Sequence, residues 1–237
     1  MAKRGKIAKP NTSVSEERPV RLKKYKYLFL IVCEDQKTEP SYFEKFKSQI
    51  PEDSIFLKSV GVGRDPKGVV ERAIIERDNL IKESKKEVDE VWIVFDKDDA
   101  DENAKKIKNF EDAFSISEKE EFSVAYSNEV FELWLLLHFT RVDRNTALPR
   151  KKVYELLQEQ IRKTEKYKSY IYDHAQPSEK TIAIIFEIGS VDNAISRAQV
   201  LFENQKGNKP INANPSTAVH LLILRLKEMI AYYSYPN

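Results

Sequence analysis

Short apolar runs alternate with longer amphipathic segments through the first half of the chain. The runs at residues 27–33 (YLFLIVC) and 90–95 (EVWIVF) predict strands that are buried on both faces of a sheet. Residues 54–60 and 122–126 predict two further strands. Apolar residues at helical spacing predict helices between them, at 38–49, 67–86 and 102–116. Strands and helices that alternate at these lengths indicate βαβ units and a parallel sheet.

After residue 128 the pattern becomes helical. An apolar helix is predicted at 129–139, and further helices, separated by prolines, at 151–162, 178–204 and 216–233. The predicted fold class is therefore α/β, a parallel sheet flanked by helices, with a helical C-terminal half. The predicted organisation is a flexible basic N-terminal arm (1–25), an α/β domain (26–140) and a helical region packed on it (141–237).

Composition excludes several classes of protein. A length of 237 residues is ample for a hydrophobic core that needs no disulfide or structural metal to stabilise it. The only cysteine, Cys33, rules out a disulfide framework and a cysteine-based zinc site, and its place in an apolar run favours a small core side chain. No apolar run approaches the roughly 20 residues of a membrane span, and the N-terminus lacks an apolar signal segment. We therefore expect a cytoplasmic protein that does not insert in a membrane.

The net charge of +2 conceals two opposite parts of the chain. Residues 1–27 carry nine basic and two acidic side chains, a net charge of +7, which leaves −5 for the remainder. The basic arm is typical either of a contact to nucleic-acid phosphates or of a solubilising tail, and the sequence leaves both open. Acidic residues are concentrated in residues 89–121, which hold twelve acids and five bases.

Carboxylates follow two of the predicted strands directly. Glu34 follows the first strand, and Asp96 and Asp98 follow the third. Ligands of open α/β sheets bind at the carboxyl ends of the strands, and like charges placed together there repel each other unless a cation lies between them. Oxygen ligands without cysteine or histidine suit Mg²⁺ or Mn²⁺. The alternative is structural, since acids such as Asp99 or Asp101 commonly cap the next helix.

Polar residues of the helical half carry weaker signals. Glu132 lies in an apolar helix, where a carboxylate is costly unless it binds a cation or pairs with a buried arginine, and both interpretations stay open. His138 is more typical of a hydrogen-bonded core histidine than of a ligand. Tyr167, Tyr170 and Tyr172 alternate with lysines, which fits base stacking, although a solvated helix face is the commoner cause.

A phosphate loop is incomplete in this sequence. Gly63 and Gly68 have the spacing of a Walker loop, but Val69 and Val70 stand where lysine and serine or threonine are required. The glycines instead predict a mobile turn after the second strand.

Four motifs in order resemble the RloB-like proteins, which are encoded in phage-defence and restriction-associated loci beside an ABC-type ATPase called RloA. The motifs are IVCEDQKTEPSYF, VWIVFDKDD, SNEVFELWLLLHF and NPSTAVHLL, and the resemblance spans nearly the whole chain. Glu34 and the Asp96–Asp98 pair also resemble the Toprim signature. That resemblance implies a Toprim-like sheet that holds Mg²⁺ during phosphoryl transfer.

The resemblance implies a metal-dependent nuclease that cleaves DNA or RNA in antiviral defence and works with an RloA-like ATPase. Whether the protein forms a homo-oligomer stays open. Asn128 and Glu132 match positions of the family's own FELW segment. Two departures stand out: Asp35 replaces a glycine found in many relatives, and Glu39 lies one residue later than in many Toprim loops. The expected catalytic residues are Glu34, Asp96, Asp98 and Glu132, with Glu39 as an additional metal ligand, and the expected nucleic-acid contacts are Lys37, Arg64, Lys67 and Lys97.

Two other functions are compatible with the same residues. The protein could be a non-enzymatic regulatory subunit of the ATPase, with a structural acidic cluster, and Asp35 in place of glycine favours this. A primase-like nucleotidyl transferase would share the Toprim site.

Overall fold

Five strands form one mostly parallel sheet in the computed structural model, which describes residues 22–173 and 179–235. The spatial order is β2-β1-β3-β4-β5, in which β1 to β4 are parallel and β5 is antiparallel to β4. The central position of β1 and β3 places their carboxyl ends side by side. The strands are β1 (Tyr27–Cys33), β2 (Ile55–Gly61), β3 (Glu90–Asp96), β4 (Ser123–Asn128) and β5 (Ser216–Thr217).

Eight α-helices cover the sheet within the described ranges. A 3-10 turn at Lys45–Gln49 continues the first helix, as the predicted 38–49 segment required. The helices are α1 (Thr38–Glu44), α2 (Pro66–Ser84), α3 (Ala104–Lys119), α4 (Glu132–Leu137), α5 (Arg150–Arg162), α6 (Glu179–Ile188), α7 (Val191–Asn204) and α8 (Val219–Ser234).

Strand β1 is buried on both faces, as its continuous apolar sequence predicts. Alternate side chains point to opposite faces of a strand. Leu28 and Leu30 belong to a core cluster with residues of α2 and α3, whereas Phe29 and Ile31 belong to the cluster that includes α1 and the helices from α4 onward. The C-terminal helices thus pack on one face of the sheet, and the α/β class with a helical C-terminal half is confirmed.

Three details differ from the predicted elements. The predicted helix 178–204 is two helices, because the chain turns at Gly189 and Ser190, where the Ser190 side chain accepts a hydrogen bond from the amide of Asn193 and caps α7. The two-residue strand β5 was not predicted. Residues 1–21 of the predicted arm lie outside the described residues, while Leu22–Lys24 form a 3-10 turn in which Leu22 is buried.

None of the helices within the described ranges combines the length and the apolar character that crossing a bilayer requires.

Candidate metal centre

Glu34 and Asp96 meet at the carboxyl ends of the two central strands. The Glu34 amide donates to the carbonyl of Val94 (2.9 Å), which continues the β1–β3 pairing by one residue. The Asp96 amide in turn donates to Oε2 of Glu34 (2.9 Å). The backbone of one strand therefore positions the acidic side chain of the other.

The two oxygens of the Asp96 carboxylate differ in their hydrogen bonding. Its Oδ2 atom accepts a hydrogen bond from the Phe131 amide (2.9 Å), just before α4. Its Oδ1 atom is buried and has no hydrogen-bond partner among the described residues. A buried acceptor without a partner is costly, so a cation or a water at this oxygen would stabilise it.

Glu39 and Glu132 lie buried beside Asp96. Glu39, in the first turn of α1, is 1% exposed and accepts from the Asp35 amide (3.1 Å). Glu132, the first residue of α4, accepts a hydrogen bond from the Tyr172 hydroxyl. Among the described residues Glu132 makes no ion pair, so the expected alternative of a buried arginine partner is wrong.

Burial and mutual repulsion shift the protonation of these acids. Burial raises the pKa of Glu34 to about 8, and it raises the pKa of Asp96 well above its usual range. The pKa of Asp96 is raised further by the carboxylates of Glu39, Asp98, Glu132 and Glu34. Burial likewise raises the pKa of Glu39 and Glu132. The other four predicted acidic ligands thus lie within electrostatic reach of Asp96, and each extra negative charge there is unfavourable.

Arg150 is the nearest counter-charge to the outer acids. Its Nη2 atom contacts Oδ1 of Asp98 (3.2 Å) and Oδ1 of Asp99 (2.9 Å). Asp101 instead pairs with Lys97 (2.7 Å). Neither Asp99 nor Asp101 caps the next helix, because Asn103 is the residue whose side chain accepts from the first amides of α3. The predicted capping role of these two aspartates is wrong.

A cavity of about 380 Å³ opens beside these acids. Glu34, Asp96 and Asp98 lie on one side of it, and α3 contributes basic and amide groups on the other. Besides Lys97, its remaining polar lining residues, none of which was predicted as a site residue, are Asp65, Asp99, Asn103, Lys105, Lys106 and Asn109. The sequence did contain a signal for Lys105 and Lys106. They form a basic pair at the start of a helix that follows an acidic strand end.

The four predicted nucleic-acid contacts are placed differently. Lys37 and Arg64 are exposed and make no ion pair in the part of the chain that the structure describes. Lys67 is half-buried and lies 3.4 Å from Asp112. Lys97 is 5% exposed and contacts Asp101 and Glu129, so its charge is taken up by carboxylates of the protein itself.

The glycine pair after β2 supports the acidic loop by close packing. A Cβ atom on Gly61 would lie 2.4 Å from the carbonyl oxygen of Asp35. The Gly63 amide donates to the carbonyl of Glu34 (2.7 Å), and the Val62 amide to that of Cys33 (3.0 Å). These bonds hold the loop against β2 instead of leaving a mobile turn.

Other polar residues prove structural. His138 is 3% exposed and hydrogen-bonded to Tyr42 and to the Trp134 carbonyl, which confirms the core interpretation. The three tyrosines do not form a stacking row or a helix face: Tyr170 is buried against Thr181, and the hydroxyl of Tyr167 donates to Glu187. Two further residues also have structural roles. Cys33 is fully buried in β1, and the Asn128 side chain donates hydrogen bonds to the carbonyls of Pro210 and Ile211.

The donor set suits Mg²⁺ or Mn²⁺ in its chemistry. Within residues 22–173 and 179–235, no three histidine, cysteine, aspartate or glutamate side chains form a ready-made metal cage. Mg²⁺ rarely needs one, since it keeps several waters and is bound through one or two carboxylates and the phosphates of a substrate. The unpartnered Oδ1 of Asp96 and the adjoining carboxylates fit that manner of binding.

Comparison with known proteins gives one match. The family model described as "RloB-like protein" matches residues 29–226, which include all five acids. No curated protein and no solved structure matches the chain significantly.

Proposed function

The chain belongs to the RloB-like protein family, and from that premise we propose that it is a divalent-metal-dependent nuclease that cleaves DNA or RNA. One observation carries the proposal: in the part of the chain that the structure describes, the buried Oδ1 of Asp96 has no hydrogen-bond partner, and it lies among carboxylates whose pKa values are raised by burial and repulsion. A site that concentrates uncompensated negative charge at the edge of a parallel sheet is suited to a cation.

In this proposal the acidic residues have different roles. Asp96 and Asp98 would hold Mg²⁺ or Mn²⁺, and Glu39 and Glu132 would supply negative charge behind them. The ion, when bound, would supply positive charge that stabilises a phosphodiester under attack by water. Glu34, with its pKa raised to about 8, would exchange a proton with the attacking water or the leaving group near neutral pH.

Basic groups around the cavity would orient the phosphate backbone. Lys105 lines the cavity and makes no ion pair among the described residues. Lys37 and Arg64 are exposed on the loops that follow β1 and β2. We include in the proposal a role in antiviral defence together with an ABC-type ATPase, in the cytoplasm.

The test is cleavage of single-stranded and double-stranded DNA and RNA with Mg²⁺, Mn²⁺ or a chelator, with and without the ATPase. We expect metal-dependent cleavage that Asp96→Ala and Glu34→Ala abolish. The matched control is Glu71→Gln, which removes an exposed carboxylate from α2. If both site variants cleave as the wild type does, the nuclease assignment fails.

A regulatory subunit of the ATPase is the second candidate. The ion pairs of Asp98 and Asp99 with Arg150, and the lack of a preformed cage in the described residues, favour a structural acidic cluster. Calorimetry that shows an intact complex with the ATPase but no divalent-cation binding would select this function.

A further inference from the structure

A second cavity lies at the other end of α4 from Glu132. Its volume is about 480 Å³, and it is formed between the loop that follows α4 and the exposed side of α7. None of the acids of the metal centre lines it. Three of its lining residues are arginines: Arg141, Arg144 and Arg197.

These arginines form no ion pairs within the described residues. In residues 22–173 and 179–235, none of the three makes an ion pair, although 21 such contacts occur elsewhere. Arg197 uses Nη1 to donate to the carbonyl of Leu137 (2.7 Å), which leaves most of its five N–H donors unused. Burial lowers the pKa of the Arg197 guanidinium, and the nearby positive charge of Arg141 lowers it further. Because Arg141 and Arg197 line the same cavity, two like charges face one small volume.

The one carboxylate in the lining does not neutralise this pair. Asp143 accepts hydrogen bonds from the Asn145 amide (3.0 Å) and the Thr146 hydroxyl (2.6 Å). The hydrogen bonds from Thr146 and Asn145 are the main reasons that the pKa of Asp143 is lowered, and the positive charge of Arg144 adds a smaller effect. Within the described ranges, no carboxylate lies at ion-pair distance from Arg141 or Arg197.

The remaining lining matches a ligand with an apolar and a polar part. Val142, which is half-buried, and Val200, which is 51% exposed, contribute apolar surface, and the buried Leu137 and Leu201 complete the lining. Asn145 and Asn193 bring amide groups, which can both donate and accept. Small-molecule sites typically have about this volume and combine apolar walls with a few polar groups.

We propose that this cavity binds a phosphorylated nucleoside, with a phosphate between Arg141 and Arg197 and the base against the apolar wall. Guanidinium groups bind phosphate oxygens through paired, charge-assisted hydrogen bonds. A concave site with an apolar wall suits a free nucleotide better than an extended backbone or an acidic peptide. The proposal does not depend on nuclease activity, because no residue of the metal centre takes part.

The experiment is calorimetric titration of the full-length protein in the presence of a chelator, so that a divalent ion cannot hold the nucleotide at the acidic centre. The probes are a purine and a pyrimidine nucleoside triphosphate, the corresponding monophosphates, inorganic phosphate, a single-stranded oligonucleotide and a short polyglutamate peptide. The variants are Arg141→Gln in the exposed loop, Arg197→Gln and Arg197→Lys. Lys82→Gln, which removes an exposed charge from α2, is the control.

We expect a nucleotide to bind, with the affinity falling roughly ten-fold or more in Arg141→Gln and Arg197→Gln and staying unchanged in Lys82→Gln. Arg197→Lys should retain part of the affinity, since it keeps the charge and a donor for Leu137. If Arg197→Gln does not fold, the nucleotide affinity of Arg141→Gln alone tests the proposal. Absence of nucleotide binding, unchanged binding in Arg141→Gln, or binding of only the oligonucleotide or the peptide would each overturn the proposal.

Discussion

The backbone amide of Asp96 donates a hydrogen bond to the Glu34 carboxylate across 2.9 Å. The donor belongs to the main chain at the end of β3, so Glu34 is held in place whatever side chain stands at position 96. The charge of Asp96 can therefore be removed without displacing its neighbour, and the acidic centre can be tested one carboxylate at a time.

Asp96→Asn should stabilise the metal-free protein, on the order of 1 kcal/mol at neutral pH. The pKa of Asp96 is raised in the folded state, so above the usual carboxyl pKa its ionisation opposes folding, and this penalty fades as the pH falls. Asparagine keeps an oxygen for the Phe131 amide but carries no charge. Unfolding in a chelator measures the gain.

The same variant should lose the stabilisation that Mg²⁺ gives the wild type. Binding to the folded state alone raises stability with ligand concentration, so the comparison with and without Mg²⁺ reports the site. Glu71→Gln serves again as the control. A wild type that gains no stability from Mg²⁺ or Mn²⁺, or an Asp96→Asn variant that gains as much, would contradict the metal centre.

Much of this centre could be predicted from local sequence. Glu34 and Asp96 directly follow continuous apolar runs, and the buried strands of a parallel sheet bring such residues to one edge. Arg150 and Tyr172 could not be predicted in this way. They reach the acids from the helical half, and no periodicity or motif records a contact between elements so far apart in sequence.

Tyr172→Phe should destabilise the protein by about 1–3 kcal/mol, because the buried Glu132 carboxylate would lose the hydroxyl that donates to it. That donor lowers the pKa of Glu132 against the larger effect of burial. A double-mutant cycle with Glu132→Met measures the coupling. With methionine at position 132, Tyr172→Phe should cost much less, and equal costs in both backgrounds would show that the hydrogen bond contributes nothing.

Gly61→Ala should destabilise the fold by about 1–3 kcal/mol, since the added methyl group would overlap the Asp35 carbonyl and the backbone of Gln36. Because this backbone leads from Glu34 into α1, the substitution should also weaken metal binding. The matched control is Gly207→Ala, where a Cβ atom meets nothing within 4 Å, although φ is +93° there. Gly207→Ala can cost stability through backbone strain, but its metal affinity should match the wild type.

His138 should make the protein less stable in acid. The Trp134 carbonyl can only accept, so Nδ1 carries the proton and Nε2 accepts from the Tyr42 hydroxyl. Burial lowers the pKa of His138 to about 4. The unfolded chain binds a proton near its usual pKa of about 6.5, so stability is lost as the pH falls from there to about 4, by roughly 3 kcal/mol at most.

The measurement is the difference in unfolding free energy between the wild type and His138→Gln across that pH range. Taking the difference removes the contribution of the buried acids, whose raised pKa values act in the opposite direction. A difference that does not vary with pH would mean that His138 titrates alike in the folded and unfolded chains.

A residue's role could not be predicted from the sequence where it depends on a distant partner. Asn103, and not one of the preceding aspartates, caps α3, whereas Asp99 and Asp101 pair with Arg150 and Lys97. The strand β5 has two residues, too few for any pattern, and forms only because β4 offers an unpaired edge. Continuous apolar runs identified the strands that are buried on both faces, and apolar residues at helical spacing identified the amphipathic helices, because both patterns are local in the sequence.

The pairing of β5 with β4 also has a consequence for synthesis on the ribosome. The bonds of Ser127 with Thr217 and of Tyr126 with Ala218 join residues about ninety positions apart, so the outer edge of β4 stays open while the intervening residues are made. An open strand edge in a nascent chain is a place where other chains can pair wrongly. Chaperones that bind nascent chains would therefore be expected to shield the open edge of β4, the strand that leads into the acidic centre.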